Sequence, residues 1–380
     1  RWHEYPQDGV VRPVSRRGCR FKEHWDAWAM APLAHLPIEP LWLKPARDQT
    51  VSLLPTAVKA DPLPCEGRQT GGLQPARDLL DSFLDRRGQG YGAHMSAPIT
   101  AEHGCSRLSA HIAHGSLSLR QIAQTALKAR EGAPRAHWHR QLGSYVTRLW
   151  WHCYALQVLE NQPNMERQAL VPEMEHLLRP MDSARFDAWR FGRTGWPMVD
   201  ACMRFLHHQG WLNFRMRAMQ VTIATHTLSL PWRPVADWLA QLFVDFEPGI
   251  HYTQIQMHSS MAASPVLRLY NPVTQARELD PQGHFVRRWV PELAAVPDEW
   301  VVMPWAMPST LRDRFGLVGT RNYPAPLVDF EQVHRSVKAD ITAIRNSSGL
   351  KAGTRQAARG RRKTASKPKE EKLSTQPTLF

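Results

Sequence analysis

The sequence lacks the features that would place it in several common classes of protein. Its five cysteines include no CxxC pair, so the spacing indicates neither a zinc or iron–sulfur site nor a disulfide framework. This pattern suits a reducing compartment, and we expect a cytoplasmic protein with no resident metal. No apolar run reaches the length of a membrane-spanning helix, and no signal peptide is recognisable. From Ala76 onward the alternating pattern of β-strands is also missing, which predicts a mainly α fold.

Negative charge is scarce. Lys and Arg number 48 against 34 Asp and Glu, a net charge of +14. Residues 341–380 hold ten Lys or Arg and two Glu, a balance of +8 that leaves +6 for the remainder. We expect a basic disordered tail over 331–380, because its apolar content is too low to fold alone. Such a charge fits a polyanionic partner such as nucleic acid, and it fits a merely soluble surface equally well.

The chain divides by composition. Eight prolines lie between Pro32 and Pro75, and we interpret residues 1–75 as an extended connecting segment. Residues 76–330 show helical periodicity and form the expected domain. "ARDLLDSFLDRRG" places its apolar residues on one helix face and ends at Gly88, and "PMVDACMRFLHHQG" begins with Pro197 and ends at Gly210. Further helices are predicted near 118–130, 134–160, 213–229 and 234–246.

Two short stretches carry candidate chemistry. "GCSRLSAHIAHGSLSLRQ" (104–121) has small polar residues ahead of a helical pattern, and Arg107 adds a fixed charge for an anion. Alone, it would be taken for an ordinary capped helix. "DFEPGIHYTQIQMHSS" (245–260) has two carboxylates and two histidines, which could face a metal, a proton to be transferred, a cofactor or only solvent. A metal site would need further ligands at fixed spacing.

Four blocks in order resemble one family. They are the two stretches above, "GRTGWPMVDACMRFLHHQGWLNFRMRAM" (192–219) and "RLYNPVTQARELDPQGHFVRRWVPEL" (268–293). Together they resemble the FAD-binding helical domain of the DNA photolyase and cryptochrome family, over about Tyr91 to Trp305. The opening "WHEYPQDGVVRPVSRRG" is similar to the family's interdomain segment, and the family's N-terminal antenna domain is missing from this sequence.

The resemblance implies a set of residues that contact FAD. Arg217 would lie along the flavin ring with Asp245 as its charge partner, Glu247 stands where the family usually has Asp, and His251 would face flavin N5. A buried Arg–carboxylate pair beside a flavin can offset the charge that the flavin gains on reduction. The other implied cofactor contacts are Tyr91, Cys105, Ser106, Arg107, Leu108, Ser109 and His152.

The resemblance also implies contacts with DNA, and here the sequence departs from the family. Arg148 stands where photolyases have a Glu that contacts the damaged bases, whereas Trp151 matches their stacking Trp. Met257 replaces a second stacking Trp and Phe214 a polar residue near the flavin. The histidine pair of (6-4) enzymes falls on Ala218 and Thr222. The implied DNA-facing residues are Arg148, Trp151, Arg215, Arg268, Asn271 and Gln275.

Family members refill the flavin with electrons through three tryptophans. Here the inner position falls on Ile255, the middle one on Trp232 and the outer one on Arg179, so the route is interrupted at both ends. Tyr252, Trp211 or Trp150 could offer a detour.

These features lead to a hypothesis and two alternatives. The hypothesis is blue-light-dependent repair of cyclobutane pyrimidine dimers by a monomeric flavoenzyme, with Trp151, Trp232 and His251 as catalytic candidates. The first alternative is a cryptochrome-like photoreceptor or redox flavoprotein without repair activity, and the second is a fragment that binds neither FAD nor DNA well. The last five residues, Gln376–Phe380, resemble the peptide with which bacterial repair proteins dock on the sliding clamp.

Overall fold

The computed structural model describes residues 7–12, 21–33, 65–177, 179–262, 267–317 and 323–347. Most of the predicted proline-rich connector, the residues after 347 and the clamp-like peptide lie outside these ranges. The described residues form helices and loops and contain no strand, which confirms the predicted mainly α fold. No helix among them is long and apolar enough to cross a membrane.

The described part of the chain forms α-helices that we number in chain order. The first nine are α1 Phe21–Met30, α2 Leu73–Asp85, α3 Tyr91–His94, α4 Pro98–Gly104, α5 Ser109–Ala113, α6 Leu119–Glu131, α7 Ala136–Asn161, α8 Ser183–Arg190 and α9 Pro197–Gln209. The others are α10 Phe214–Thr222, α11 Trp232–Leu242, α12 Pro248–His258, α13 Pro272–Leu279, α14 His284–Trp289, α15 Asp298–Val301, α16 Ser309–Arg314 and α17 Phe330–Ser347. Short 3-10 turns lie at Arg87–Gly90, Pro163–Glu166, Pro172–Leu177, Pro291–Leu293 and Pro304–Ala306, and a π-helical turn at Ile223–Thr227.

Local signals set the ends of α9. Pro197 occupies its first position, where the missing N–H costs nothing. Gly210 ends it with a φ of 62°, a left-handed conformation that glycine adopts without strain. The carbonyl of Gly210 then accepts a hydrogen bond of 2.9 Å from the backbone of Val244. This contact brings the stretch that begins at Asp245 to the end of α9.

Two hydrophobic cores hold the helices together. The larger centres on α9 and includes the fully buried Trp189 and Phe205. The smaller joins α1, α2, α6 and α7 around Phe83 and Ile122. Cys105, in the loop between α4 and α5, packs against both cores. The residues of the candidate site come from both sides of this junction.

Helix α12 lies close against α7. A Cβ at Gly249, in the first turn of α12, would meet the Cα of Leu156 at 2.8 Å and the carbonyl oxygen of Ala155 at 3.1 Å. Because both atoms belong to the backbone and cannot move aside as a flexible side chain could, only glycine allows the two helices to approach this closely. The contact places Glu247 and His251 of the 245–260 motif beside α7.

The predicted domain boundaries at residues 75 and 331 leave one packed helix outside the domain at each end, α1 before it and α17 after it. Helix α1 buries Trp25 in the smaller core, and Gln124 of α6 donates hydrogen bonds of 2.8 Å to the carbonyls of Ala29 and Ala31. Helix α17 buries Ile341 in the larger core. Both helices are amphipathic and are stabilised by packing on the domain, which composition averaged over a segment does not reveal.

Candidate functional site

A buried ion pair forms the centre of the site. Arg217 of α10 donates two hydrogen bonds to Asp245, at 3.0 and 2.7 Å, in the bidentate geometry of a strong charge pair. Its Nε donates to the carbonyl of Leu212 at 2.6 Å, and its guanidinium lies 4.0 Å over the ring of Phe243. These contacts fix the plane of the guanidinium.

The carboxylate of Asp245 is ionised despite its burial. Burial raises its pKa, but Arg217 and the hydroxyl of Ser109 outweigh that effect and hold the pKa below its usual value. Ser109 begins α5, so this contact joins the 104–121 motif to the 245–260 motif. The structure thus brings three of the predicted FAD-binding residues together.

Arg107 supplies a second buried cation. It has a φ of 63°, an uncommon conformation for a residue with a side chain. Its guanidinium lies 3.8 Å over the ring of Trp211, and its Nη1 has no hydrogen-bond partner among the described residues. Burial lowers the pKa of Arg107 to about 10, against the attraction of Glu102 and Asp245. A buried guanidinium with an unused donor favours an anion beside it.

Arg87, which was not among the predicted site residues, holds the loop that carries Arg107. Its guanidinium donates to the carbonyls of His103 at 2.9 Å, Cys105 at 2.5 Å and Ser106 at 3.2 Å. It also reaches the carbonyl of Leu79 in α2 at 2.8 Å. An Arg in the last turn of a predicted helix is a weak signal of this role, because its loop partners lie 16 to 19 residues away in the chain.

The remaining residues of the 105–109 turn have different surroundings. Burial raises the pKa of the Cys105 thiol to about 11, against the nearby Arg107 and Arg87, so the thiol stays protonated at neutral pH. Leu108 is fully buried in the smaller core. The hydroxyl of Ser106 lies 3.4 Å from the backbone nitrogen of Leu108.

His251 is a neutral hydrogen-bonding group. Burial lowers its pKa to about 4, although its contact with the carbonyl of Ala236 works in the other direction. Its Nε2 lies 2.9 Å from that carbonyl, so the proton is assigned to Nε2 and Nδ1 is left as an acceptor. The ring also contacts Phe246 and Tyr252, with centroids 5.2 and 5.1 Å away.

Tyr91 and Arg148 lie together at the edge of the site. Tyr91 is buried in the smaller core, with its ring 5.6 Å from that of Phe83 and 5.9 Å from that of Tyr145. The guanidinium of Arg148 lies beside the Tyr91 hydroxyl, whose pKa burial raises. Arg148 therefore has a protein contact at the position where the family has a carboxylate.

A second group of polar residues joins three elements. Nε2 of His152 in α7 lies 3.2 Å from Oε2 of Glu247, which precedes α12. The carboxylate of Asp8, from the 7–12 segment, reaches the same place, and one ligand-type atom from each side chain lies within 4.8 Å of the other two. Asp8 was not among the predicted site residues, because more than 140 residues separate it from His152 in the chain.

Trp151 belongs to an aromatic group on α7. Its ring lies 4.6 Å from that of Trp150 and 5.5 Å from that of Tyr154, both edge to face. Trp150 and Tyr154 stack on each other at 5.3 Å. Trp151 is half-buried, and it directly precedes His152, so it lies at the border of the candidate site.

Three of the other predicted DNA contacts are engaged within the protein. Arg215 donates to Gln275 at 2.8 Å and to Glu278 at 2.5 Å. Asn271 caps α13 through hydrogen bonds from the backbone of Val273 at 2.9 Å and Thr274 at 3.1 Å. Arg268 is half-buried in the segment before α13. DNA contact by these residues stays a prediction.

The three predicted electron-transfer positions differ in burial and in their contacts. Ile255 and Trp232 are buried in the larger core. Arg179 is about half exposed and pairs with Asp340 at 2.9 Å. Arg179 and Trp232 line a cavity of about 480 Å³ between α17 and the π-helical turn. No aromatic residue therefore occupies the outer position.

Comparison with known proteins identifies the family of this chain. Residues 145–343 match the family described as the FAD binding domain of DNA photolyase. The chain belongs to this family. The match includes most of α7, all of α9 to α12 and the loop between α11 and α12. It therefore contains His152, Arg217, Asp245 and His251.

Relatives of both functional kinds match the chain. A deoxyribodipyrimidine photo-lyase of Streptomyces griseus is 32% identical over 291 residues, 73% of this chain and 59% of the relative. Cryptochrome-2 of Arabidopsis thaliana is 29% identical over 283 residues, 73% of this chain and 46% of the relative. The crystal structure of a bacterial class III photolyase from Agrobacterium tumefaciens has a TM-score of 0.67 and 26% identity, over 72% of this chain and 56% of the other. The chain spans about half the length of these relatives.

FAD is the cofactor of this photolyase-like domain, and the residues present fit it. The unused donor of buried Arg107 suits a phosphate oxygen, and the fixed Arg217–Asp245 pair offers directional hydrogen bonds. Neutral His251, which is near Arg217 and Asp245, adds an acceptor. This match of donors and charges agrees with the resemblance in the sequence.

Proposed function

We propose that this protein repairs cyclobutane pyrimidine dimers in DNA under blue light. The observation that carries the proposal is the fixed Arg217–Asp245 pair beside Arg107, whose unused donor favours an anionic cofactor. Bound FAD in its reduced form would supply the electron that splits the dimer when light is absorbed. The chain's own residues bind the cofactor, offset its negative charge and position the damaged bases beside it.

Two guanidinium groups are available to offset negative charge in the pocket. Arg107 and Arg217 both act on the carboxylate of Asp245, and Arg107 is also near Glu102, so the two cations can stabilise the phosphates and the charge gained on reduction. His251 stays neutral near pH 7 because its pKa is about 4, so it accepts a hydrogen bond and does not deliver a proton there.

Trp151 provides the stacking surface of the proposal. It lies on α7 next to His152, so a base extruded from the duplex could stack on it close to the cofactor. Stacking on an aromatic residue contributes roughly 1–3 kcal/mol per base. The net charge of +14 attracts the phosphate backbone in a salt-dependent manner.

The test is repair by the purified, FAD-loaded protein. DNA with a single thymine dimer is illuminated at blue wavelengths, and dimer loss is counted against a dark sample. We expect loss in the light only, and Trp151→Ala should weaken binding to damaged DNA with FAD content unchanged. Tyr154→Phe is the matched control in the same aromatic group. If dimers persist although FAD is bound, the repair proposal is wrong.

A second candidate function is that of a cryptochrome-like photoreceptor. The contact of Arg148 with Tyr91 favours it, because a guanidinium cannot accept hydrogen bonds from a damaged base as a carboxylate does. In this case, Arg148→Glu should create or strengthen binding to dimer-containing DNA. If Arg148→Glu has no effect and the wild-type protein repairs dimers, this second function is excluded.

A further inference from the structure

The cavity of about 480 Å³ between α17 and the π-helical turn has the size of a small-molecule pocket. Its walls are α17, the π-helical turn with the loop after it, the start of α11 and the residues at the end of α12. None of the residues assigned above to FAD or to DNA lines it. The cavity is therefore separate from the site already described.

Unusual backbone geometry is concentrated around this cavity. His226 lines it from the π-helical turn, and such turns are rare and often mark functional sites. Ser229 lines it with a φ of 56°, and Ser260, with a φ of 65°, lies between the lining residues Ser259 and Met261. These are two of the four non-glycine residues with left-handed φ in the part of the chain that the structure describes. Such conformations cost free energy and are concentrated at ligand sites.

Two buried polar groups in the walls have no hydrogen-bond partner among the described residues. Ser259 is 1% exposed and its Oγ is unpaired, and the same holds for Nε1 of Trp232. A buried polar group without a partner costs free energy. Because an indole nitrogen only donates, whereas a hydroxyl donates and accepts, a ligand that serves both needs an acceptor.

The charged groups at the cavity are already engaged within the protein. Arg179 pairs with Asp340 at 2.9 Å. Asp329 accepts a hydrogen bond of 2.9 Å from the backbone of Gln332 and so caps α17. His226 is neutral near pH 7, because burial lowers its pKa to about 4. The described lining therefore offers no unpaired cation for a phosphate, which favours an uncharged ligand.

The uncharged part of the lining is apolar on some elements and hydroxyl-rich on others. Leu230, Trp232 and Met261 provide apolar surface, whereas Ser229 and Ser336 provide hydroxyls. Apolar surface suits the faces of a flat heterocycle, and hydroxyls suit polar ring edges and sugar oxygens. Nucleosides combine these features and carry no charge at neutral pH.

We propose that this cavity binds an uncharged nucleoside. The base contacts the apolar surface near Trp232, and Ser259 forms a hydrogen bond with the ligand. Because α17 is one wall, binding stabilises the packing of this helix on the domain. The proposal uses neither bound FAD nor repair of DNA.

Calorimetric titration of the FAD-loaded full chain with inosine tests the proposal. We expect one site per chain. Inosine monophosphate and ribose should each bind at least about tenfold more weakly, because the first adds charge beside Asp329 and Asp340 and the second lacks the base. Absence of inosine binding, or equally tight binding of either control compound, would overturn the proposal.

Substitutions on α17 locate the site. Ser336→Trp fills the cavity from an exposed position and should weaken inosine binding at least about tenfold. Thr342→Trp is the matched control, because Thr342 is exposed on the same helix but does not line the cavity. FAD content should be unchanged in both. Ser259→Ala should weaken binding without lowering the melting temperature, because it removes an unpaired buried hydroxyl. Equal affinity in Ser336→Trp and the wild type would contradict the assignment.

Amide hydrogen exchange locates the ligand without any substitution. Inosine should slow exchange in α17 and in the π-helical turn. Protection confined to α7 or to the 105–109 turn would show that inosine occupies the cofactor site, and the cavity would then be excluded. Absence of dimer repair with inosine binding intact would count against the proposed function and leave the nucleoside site standing.

Discussion

At the scale of single residues, Arg217 and Asp245 depend on each other. Removal of one member of a buried pair leaves the other charged and without a partner. Because about a quarter of the Arg217 side chain is exposed, we expect Arg217→Ala to lower the free energy of unfolding by about 3 kcal/mol, toward the lower end for such pairs. FAD content should fall with it.

Urea unfolding of the FAD-free protein and the absorbance of the FAD-loaded protein measure these two effects. Arg179→Ala is the matched control, because the Arg179–Asp340 pair is about half exposed on both sides. Exposed pairs contribute about 0–1 kcal/mol. Equal effects of the two substitutions would contradict the central role assigned to Arg217.

Three buried histidines link stability to pH. Burial lowers the pKa of His226, His251 and His258 to about 4. In the unfolded chain these imidazoles bind protons below about pH 6.5. Between about pH 6.5 and 4 the unfolded state therefore binds more protons than the folded state, and stability must fall as the pH falls through this window.

We expect each histidine to contribute on the order of 1 kcal/mol per pH unit within that window. Melting temperatures of the FAD-free protein at pH 7.5, 6.5, 5.5 and 4.5 measure the trend. His251→Gln should reduce the slope, because a glutamine does not titrate. A melting temperature that stays constant from pH 7.5 to 4.5 would show that these histidines are not buried as described.

At the scale of secondary-structure elements, the packing of α12 on α7 fixes the site. We expect Gly249→Ala to cost about 1–3 kcal/mol of stability, as overpacked substitutions do. The added Cβ meets the backbone of Leu156, which cannot rotate away. Denaturant unfolding measures the effect. Gly132→Ala is the control, because its Cβ would meet its nearest atom at 3.6 Å, and there stability should change little.

The elements differ in how far the sequence predicts them. Helix α9 follows from Pro197, Gly210 and the apolar period between them, all of which are local. Helices α1 and α17 were not predicted as helices, because their stability comes from the domain on which they pack. The site residues were predicted from the resemblance to the family. The packing of Cys105 against both cores and the proximity of Asp8 to His152 are long-range contacts, which no local sequence pattern encodes.

At the scale of the whole molecule, the expected electron route from Trp232 to the surface has no aromatic residue at its outer position, 179. Neither the aliphatic Ile255 nor the guanidinium of Arg179 is oxidised readily, and Arg179 is already paired with Asp340. We therefore expect light-driven reduction of bound FAD by a mild external reductant to be slow. Flavin absorbance during illumination is the measurement.

Single and double substitutions distinguish the interruption of the electron route at Ile255 from that at Arg179. Ile255→Trp alone should change the rate little, whereas Ile255→Trp combined with Arg179→Trp should increase it. Because Ile255 is buried, FAD content must be checked for overpacking in both variants. Fast reduction in the wild-type protein that Trp232→Phe abolishes would show that the route through these positions is intact.

The junction of the two cores has a consequence for the time scale of ligand exchange. Arg107, which follows Cys105 at the junction, stacks on Trp211 of the larger core, while the neighbouring Leu108 is buried in the smaller one. We expect that a ligand bound to Arg107 is not released by the motion of a surface loop alone, because the turn that carries Arg107 is anchored in both cores. Its release would then need a local opening of the packed helices, and such openings are rare when the helices are well packed. Cofactor release should therefore be slow and should accelerate steeply with temperature, in parallel with amide exchange in α5 and α10.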